Sequence, residues 1–110
     1  MRKRRASALA ATLAGLMVAG AAHAEGDPQK GRYAAQTCLG CHGIPDQANV
    51  YPTYKVPKLG GQHSEYIVSA LEAYRSGARP HPTMQAQARA LTQQEIQDIA
   101  AYFASIDQSR

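Results

Sequence analysis

The sequence predicts an all-α domain, and three observations support this fold class. A capping box precedes one stretch of apolar residues at helical spacing, a second such stretch ends at a glycine, and an aspartate–proline pair begins a third segment. No run alternates between apolar and polar residues as a half-buried strand requires. With 110 residues, the chain has room for one small domain.

The first two predicted helices begin and end at recognisable residues. Asp27 is placed as an N-cap and Pro28 as the first helical residue, with the helix running towards Cys38. The second helix covers about 64–76 and ends before Gly77, where a C-cap is expected. Its apolar residues recur at positions i, i+3, i+4 and i+7: Ile67, Ala70, Leu71 and Tyr74.

The third predicted helix has the most complete start signal. Thr92 and Glu95 form a capping box. Leu91 and Ile96 stand at the two positions of a hydrophobic staple, and the helix continues to about Ser105. One face of this helix is apolar, with Ile96, Ile99, Ala100 and Phe103.

Two segments rich in proline and glycine, at residues 43–62 and 77–91, are predicted to be irregular. A loop of about 20 residues is uncommon in a compact domain unless it is functional or wraps a large group. The chain has no tryptophan, and its large aliphatic residues are scattered. A domain this small usually needs a disulfide, a metal or a cofactor, so we expect a bulky group inside the fold.

Residues 1–24 have the layout of a secretory signal peptide. Four basic residues open the segment: Arg2, Lys3, Arg4 and Arg5. An apolar stretch of small residues follows at 8–22, and the segment ends at Ala24 in a small-x-small pattern. We predict its removal, which gives a domain at 25–110, a periplasmic location and no membrane span. A short membrane anchor is the disfavoured alternative, because the apolar stretch is short.

The charge balance outside this segment argues against nucleic-acid binding. Residues 1–24 hold four of the 12 Lys and Arg residues and none of the eight acidic ones, so the rest of the chain has a formal net charge of zero. A polyanion requires a basic surface, and no stretch interleaves Lys or Arg with aromatic residues.

Cys38, Cys41 and His42 form a Cys-x-x-Cys-His motif, which is the attachment pattern of c-type haem. Cysteines at i and i+3 lie on one side of a helical turn, so both thiols can reach the two vinyl groups on one haem edge. His42 follows directly and can present its imidazole to the iron. The motif therefore predicts one covalently bound haem c with His42 as an iron ligand.

Three other interpretations of the cysteine pair are less consistent with the sequence. A redox dithiol of the thioredoxin type needs a βαβ pattern, which the sequence lacks. A zinc site completed by His63 and His81 would have spacings that match no familiar zinc module. A disulfide between residues three apart would close a strained loop and constrain little of the chain.

Met84 is the predicted second ligand of the haem iron. It is the single methionine outside residues 1–24, and it lies in the segment with Pro80 and Pro82. A thioether is a soft ligand that suits low-spin haem iron. The prolines favour extended backbone in the residues before them, which orders the chain leading to Met84.

Three alternatives to Met84 stay open from the sequence. His81 lies in the same segment, and His63 stands at a helix entrance where a solvated or capping role is more usual. The third alternative is an iron with one open position. We expect substitution of His81 by alanine to leave the iron environment nearly unchanged.

Taken together, residues 26–106 resemble the class I c-type cytochromes, both the small bacterial mono-haem members and single halves of the tandem di-haem ones. The matching features are Gly31 to His42, the Pro-Lys-Leu-Gly-Gly-Gln segment at 57–62, the helix before Gly77, Met84, and Asp98 with Tyr102 and Phe103. The resemblance implies three main helices and loops wrapped around one covalently bound haem. Residues 43–56 do not follow the family pattern.

The resemblance also implies roles for residues around the haem. The carbonyl of Pro57 would accept a hydrogen bond from the His42 ring, and Leu59 would pack on the haem face. Gly31 would lie where the first and last helices cross, near the aromatic pair Tyr102 and Phe103. The candidates for the haem propionates are Tyr51, Tyr54 and Gln62.

Iron held by His42 and Met84 has no open position, so it exchanges electrons without binding a substrate. We therefore predict a periplasmic, non-enzymatic carrier of one electron between redox proteins, among them a membrane-bound oxidase or reductase, and we expect a monomer. One alternative is a cytochrome subunit of a periplasmic dehydrogenase or sulfur-oxidising complex. The other is a haem enzyme or gas sensor with an open iron site.

Overall fold

The computed structural model describes residues 25–43, 48 and 55–106. Over this part of the chain the regular structure is helical, apart from one isolated antiparallel bridge between Ala48 and Lys55. The helices are α1 (Pro28–Ala34), α2 (Gln36–His42), α3 (Ser64–Ser76), α4 (Pro82–Arg89) and α5 (Gln93–Ser105). The predicted all-α class is confirmed. The predicted signal segment, residues 1–24, lies outside the described residues.

The first predicted helix is in fact two helices that meet at Ala35. The side chain of Asp27 caps α1 by accepting from the backbone N–H groups of Gln29 and Lys30, and Pro28 begins the helix as expected. At Ala35 the backbone has φ −82° and ψ 3°, which ends α1 and begins α2. Ala35 is completely buried in the core. No proline or glycine marks this change of direction, so the sequence pattern did not reveal it.

The segment predicted to be irregular at 77–91 contains helix α4, which the sequence analysis missed. Pro82 occupies its first turn, where a proline has no hydrogen bond to lose. Met84 therefore lies on a helix rather than in a loop. Gly77, with φ 84°, ends α3 in the left-handed conformation, as expected of a C-cap glycine.

Helices α1 and α5 cross at Gly31. A Cβ atom built on Gly31 would overlap the backbone carbonyl of Asp98 and lie 2.8 Å from the Cβ of Tyr102, so only glycine fits here. The buried Asp98 carboxylate accepts a hydrogen bond of 2.8 Å from the backbone N–H of Asp27. This contact joins the start of α1 to the middle of α5.

The core is built mainly on α5, which packs against α1 and α3, while α4 packs against α3. Its largest fully buried side chains are Phe103, Ile96 and Ile99, and the other buried apolar residues are Ala35, Ile67, Leu71, Ala88 and Ala100. The capping box of Thr92 and Glu95 at the start of α5 is confirmed. Three large side chains make a small core, which agrees with the expectation that a bound group completes it.

No described helix is both long and apolar enough to cross a bilayer.

Candidate haem-binding site

Helix α2 carries the Cys-x-x-Cys-His motif. Cys38 is half-buried and Cys41 is exposed, both thiols are free, and both line the same cleft. Burial raises the pKa of the Cys38 thiol above its ordinary value, and a hydrogen bond with Thr37 partly opposes that rise. Two free thiols one helical turn apart can form two parallel covalent bonds to a single group.

The imidazole of His42 is oriented by the backbone of Pro57. Its Nδ1 lies 2.7 Å from the carbonyl oxygen of Pro57. Because a carbonyl oxygen can only accept, Nδ1 carries the hydrogen, and the lone pair of the neutral ring is on Nε2. A histidine held in this tautomer is ready to bind a metal through Nε2. This hydrogen bond is the one that the family resemblance implies.

The loop that contains Pro57 is joined to α5 by a backbone hydrogen bond. The backbone N–H of Gly61 donates to the carbonyl of Phe103 on α5, at 2.8 Å. Leu59, the predicted haem-packing residue, is half-buried and packs against the core cluster. The side-chain oxygen of Gln62 accepts from the N–H of His63 at 2.9 Å. Of the propionate candidates, Tyr51 and Tyr54 lie outside the described residues.

Met84 is the third residue of α4, half-buried and packed against the core. Its backbone N–H donates to Nδ1 of His81, 3.1 Å away, so the imidazole of His81 serves as the N-cap of α4. His63 precedes α3, and its side chain makes no cap hydrogen bond. The cleft that contains Met84 is lined by neither histidine.

One open cleft brings together the two thiols, His42 and Met84. Its lining residues are Thr37, Cys38, Cys41, His42, Leu71, Met84, Gln87 and Leu91. The cleft is open to solvent, and the empty space including its mouth is about 480 Å³. Sequence reasoning did not assign Thr37 or Gln87 to the site. Gln87 lies three residues after Met84 on α4, so a sequence analysis that does not predict this helix cannot assign Gln87 to the site.

No three His, Cys, Asp or Glu side chains in the described part of the chain come together as a metal site. The cysteine pair is therefore not joined by His63 and His81 in the zinc arrangement that the sequence left open. The described cysteines are also not linked in a disulfide. Of the four interpretations of the motif, haem attachment agrees best with a single cleft that contains thiols, imidazole and thioether.

Comparison with known proteins identifies the family. Residues 28–107 match the cytochrome c family. The chain belongs to this family. It is 44% identical over 81 residues to cytochrome c4 of Thiocapsa roseopersicina, covering 73% of this chain and 40% of that protein. It is 39% identical over 83 residues to cytochrome c-554(548) of Halomonas halodenitrificans, covering 73% of this chain and 96% of that protein.

The structure agrees with this assignment. It superposes on cytochrome c4 of Acidithiobacillus ferrooxidans with a TM-score of 0.58 and 28% identity, over 74% of this chain and 49% of that structure. This chain thus spans about half or less of the cytochrome c4 proteins it matches, and it corresponds to one half of those di-haem proteins. The resemblance to class I c-type cytochromes is confirmed.

As a cytochrome c, the protein has covalently bound haem c and its iron as the cofactor. The residues of the cleft fit this group. Two thiols can form the thioether links, and an imidazole with a free Nε2 lone pair and a thioether sulfur are the two iron donors that such haems use. Leu71 and Leu91 provide apolar surface for the porphyrin.

Proposed function

We propose that this cytochrome c is a carrier of single electrons between redox proteins. In this proposal Cys38 and Cys41 hold the haem, while His42 and Met84 bind its iron. When bound, haem supplies an iron atom that alternates between the ferric and ferrous states. The observation that carries the proposal is the meeting of both thiols, the oriented His42 and Met84 in one cleft.

The protein side of the site supports transfer of electrons rather than binding of a substrate. With an imidazole and a thioether as ligands, no position on the iron is left for oxygen or a small molecule. The Pro57 carbonyl fixes the orientation of His42, and the packing of Met84 against the core restrains the thioether. Ligands that stay in place in both oxidation states keep the structural change on electron transfer small.

The proposal includes a location and a set of partners. Removal of residues 1–24 would release the domain into the periplasm, where haem attached through two thioether bonds cannot be lost by dilution. Donor and acceptor would be redox proteins that dock at the cleft, where His42 and Met84 approach the surface. A carrier of this kind is isolated as a single chain, whereas a permanent subunit would purify with its enzyme.

Absorption spectra of the purified oxidised and reduced protein test this function. We expect a low-spin spectrum in both states and a weak far-red band of the methionine–iron bond in the oxidised state. We expect little binding of carbon monoxide near neutral pH. Rapid binding of carbon monoxide to the wild-type protein would contradict the carrier function and favour an enzyme or gas sensor.

The covalent attachment has its own test. Haem should stay with the denatured polypeptide on a gel, and Cys38→Ala or Cys41→Ala should prevent normal maturation. The apoprotein should be largely unfolded, because the described core has only three large, fully buried side chains. A haem-free protein that unfolds with native-like cooperativity would contradict this part of the proposal.

A further inference from the structure

His81 makes an uncommon helix cap directly before the residue that we propose as an iron ligand. Its backbone is extended, with φ −164° and ψ 100°, and its Nδ1 accepts the hydrogen bond of 3.1 Å from the N–H of Met84. This N–H is one of the groups at a helix start that have no partner within the helix. The imidazole therefore closes a ring that contains the backbone of residues 81–84.

The imidazole of His81 is itself held by helix α3. Its ring packs edge-on against the ring of Tyr74, with centroids 6.0 Å apart and planes at 69°. The guanidinium of Arg79 lies over the same tyrosine ring, 4.8 Å from its centroid. The backbone N–H of Arg79 also donates to the carbonyl of Ala73 on α3, at 3.0 Å. The cap thus links the first turn of α4 to α3.

We infer that His81 is a positioning residue, whose imidazole places Met84 for binding to the iron and restrains it there. This inference rests on the proposed ligation by Met84. It differs from the sequence-based expectation that His81 is dispensable, and it also assigns His81 a role other than that of a rival ligand. His81 acts on the iron only through the backbone of Met84.

Departure of the methionine from the iron affects the first turn of α4. Met84 is the third residue of α4, so displacement of its backbone away from the cleft must open the first helical turn. Withdrawal that opens this turn breaks the hydrogen bond to His81 and exposes the N–H of Met84. The hydrogen bond from Met84 to His81 is thus present when Met84 binds the iron and absent when Met84 is displaced. It therefore favours binding of Met84 to the iron.

Competition by imidazole measures this effect on the oxidised holoprotein. Added imidazole displaces the thioether, and the loss of the far-red band reports the fraction displaced. Removal of an N-cap acceptor by alanine weakens a helix start by about 1 kcal/mol, which is about fivefold in an equilibrium constant. We therefore expect His81→Ala to bind imidazole about fivefold more tightly than wild type, at one fixed pH and well below its unfolding temperature.

Two further variants separate the cap from other effects of the substitution. Asparagine is a strong N-cap residue and has no aromatic ring, so His81→Asn should return the imidazole affinity to within about twofold of wild type. His63→Ala is the matched control, since His63 also precedes a helix but makes no cap hydrogen bond there. It should behave as wild type.

The outcomes distinguish this inference from the proposed function. If His81→Ala has wild-type affinity, or if His81→Asn is as sensitive to imidazole as His81→Ala, the positioning role is wrong. In either case the proposed ligation is tested separately, by loss of the band in Met84→Ala. If wild type shows no far-red band, the ligation itself is wrong, and the inference is overturned with it.

Discussion

Gly31 on α1 lies directly against the backbone carbonyl of Asp98 on α5, and this contact sets how closely the two helices approach. Gly31 is fully buried, and a Cβ atom there would overlap that carbonyl. The same pair of helices is joined by the hydrogen bond from the N–H of Asp27 to the Asp98 carboxylate. The crossing holds α1 in place and, through Ala35, also α2, which carries the Cys-x-x-Cys-His motif.

Substitution of Gly31 by alanine should therefore destabilise the folded protein. The added methyl group must push α1 away from α5, and such overpacking costs about 1–3 kcal/mol in the free energy of unfolding. Gly40→Ala is the control, because nothing lies within 4 Å of a Cβ at Gly40. Denaturant unfolding of the two holoproteins should show a loss for Gly31→Ala and none for Gly40→Ala. Equal stabilities would mean that the crossing is not tightly packed.

Met84→Ala tests the proposed second iron ligand. The variant should lose the far-red band, bind carbon monoxide in its reduced form, and have a lower reduction potential, since axial ligands shift haem potentials over roughly 0.8 V. Redox titration and carbon monoxide binding measure these changes. A variant with the spectrum and potential of wild type would show that another side chain, or none, occupies this position.

Docking of partners should depend on the lysines beside Pro57. Lys55 and Lys58 are exposed, and they flank the residue whose carbonyl orients His42. An acidic partner would be steered to this edge, so association should slow as ionic strength rises. A Lys55→Glu/Lys58→Glu variant should associate more slowly and lose most of its salt dependence, while Lys30→Glu on α1 should keep it. Association rates that do not change with ionic strength would exclude docking of an acidic partner at Lys55 and Lys58.

The capping box at the start of α5 should make a contribution to the free energy of unfolding that depends on pH. Hydrogen bonds from the backbone and side chain of Thr92 lower the pKa of Glu95 below its ordinary value. Because the folded pKa is below the unfolded one, this stabilisation is complete above the unfolded pKa of Glu95 and is lost as pH falls through the lowered pKa. Glu95→Gln should thus be less stable than wild type at pH 7, with the difference shrinking in acid. A difference that is constant with pH would contradict this assignment.

The sequence predicted those helices that are marked by residues within or next to the helix itself. Helices α3 and α5 were found from apolar spacing, a C-cap glycine and a capping box. Helix α4 was missed because Met84 is its one large apolar residue besides the proline at its start, and because Pro80 and Pro82 suggested a loop. Its cap is a histidine, which is outside the usual set of N-cap residues.

The tertiary contacts of the site were less accessible to sequence reasoning. The hydrogen bond between His42 and Pro57 uses a backbone carbonyl, which has no signature in sequence, and only family resemblance led to it. The burial of Asp98, which accepts hydrogen bonds from Asp27 and Gln94, was likewise not predicted. Such contacts depend on how helices cross, and one sequence does not show that.

The contact between the start of α1 and the middle of α5 also has a consequence for biosynthesis. The two residues that it joins are 71 positions apart, so the fold cannot close until nearly the whole chain is available. A polypeptide that crosses a membrane with its N-terminus leading exposes Cys38 and Cys41 well before α5 emerges. During that interval α1 would have no α5 to pack against, so both thiols would be accessible to haem. The order of the helices along the chain would thus let haem attachment precede folding.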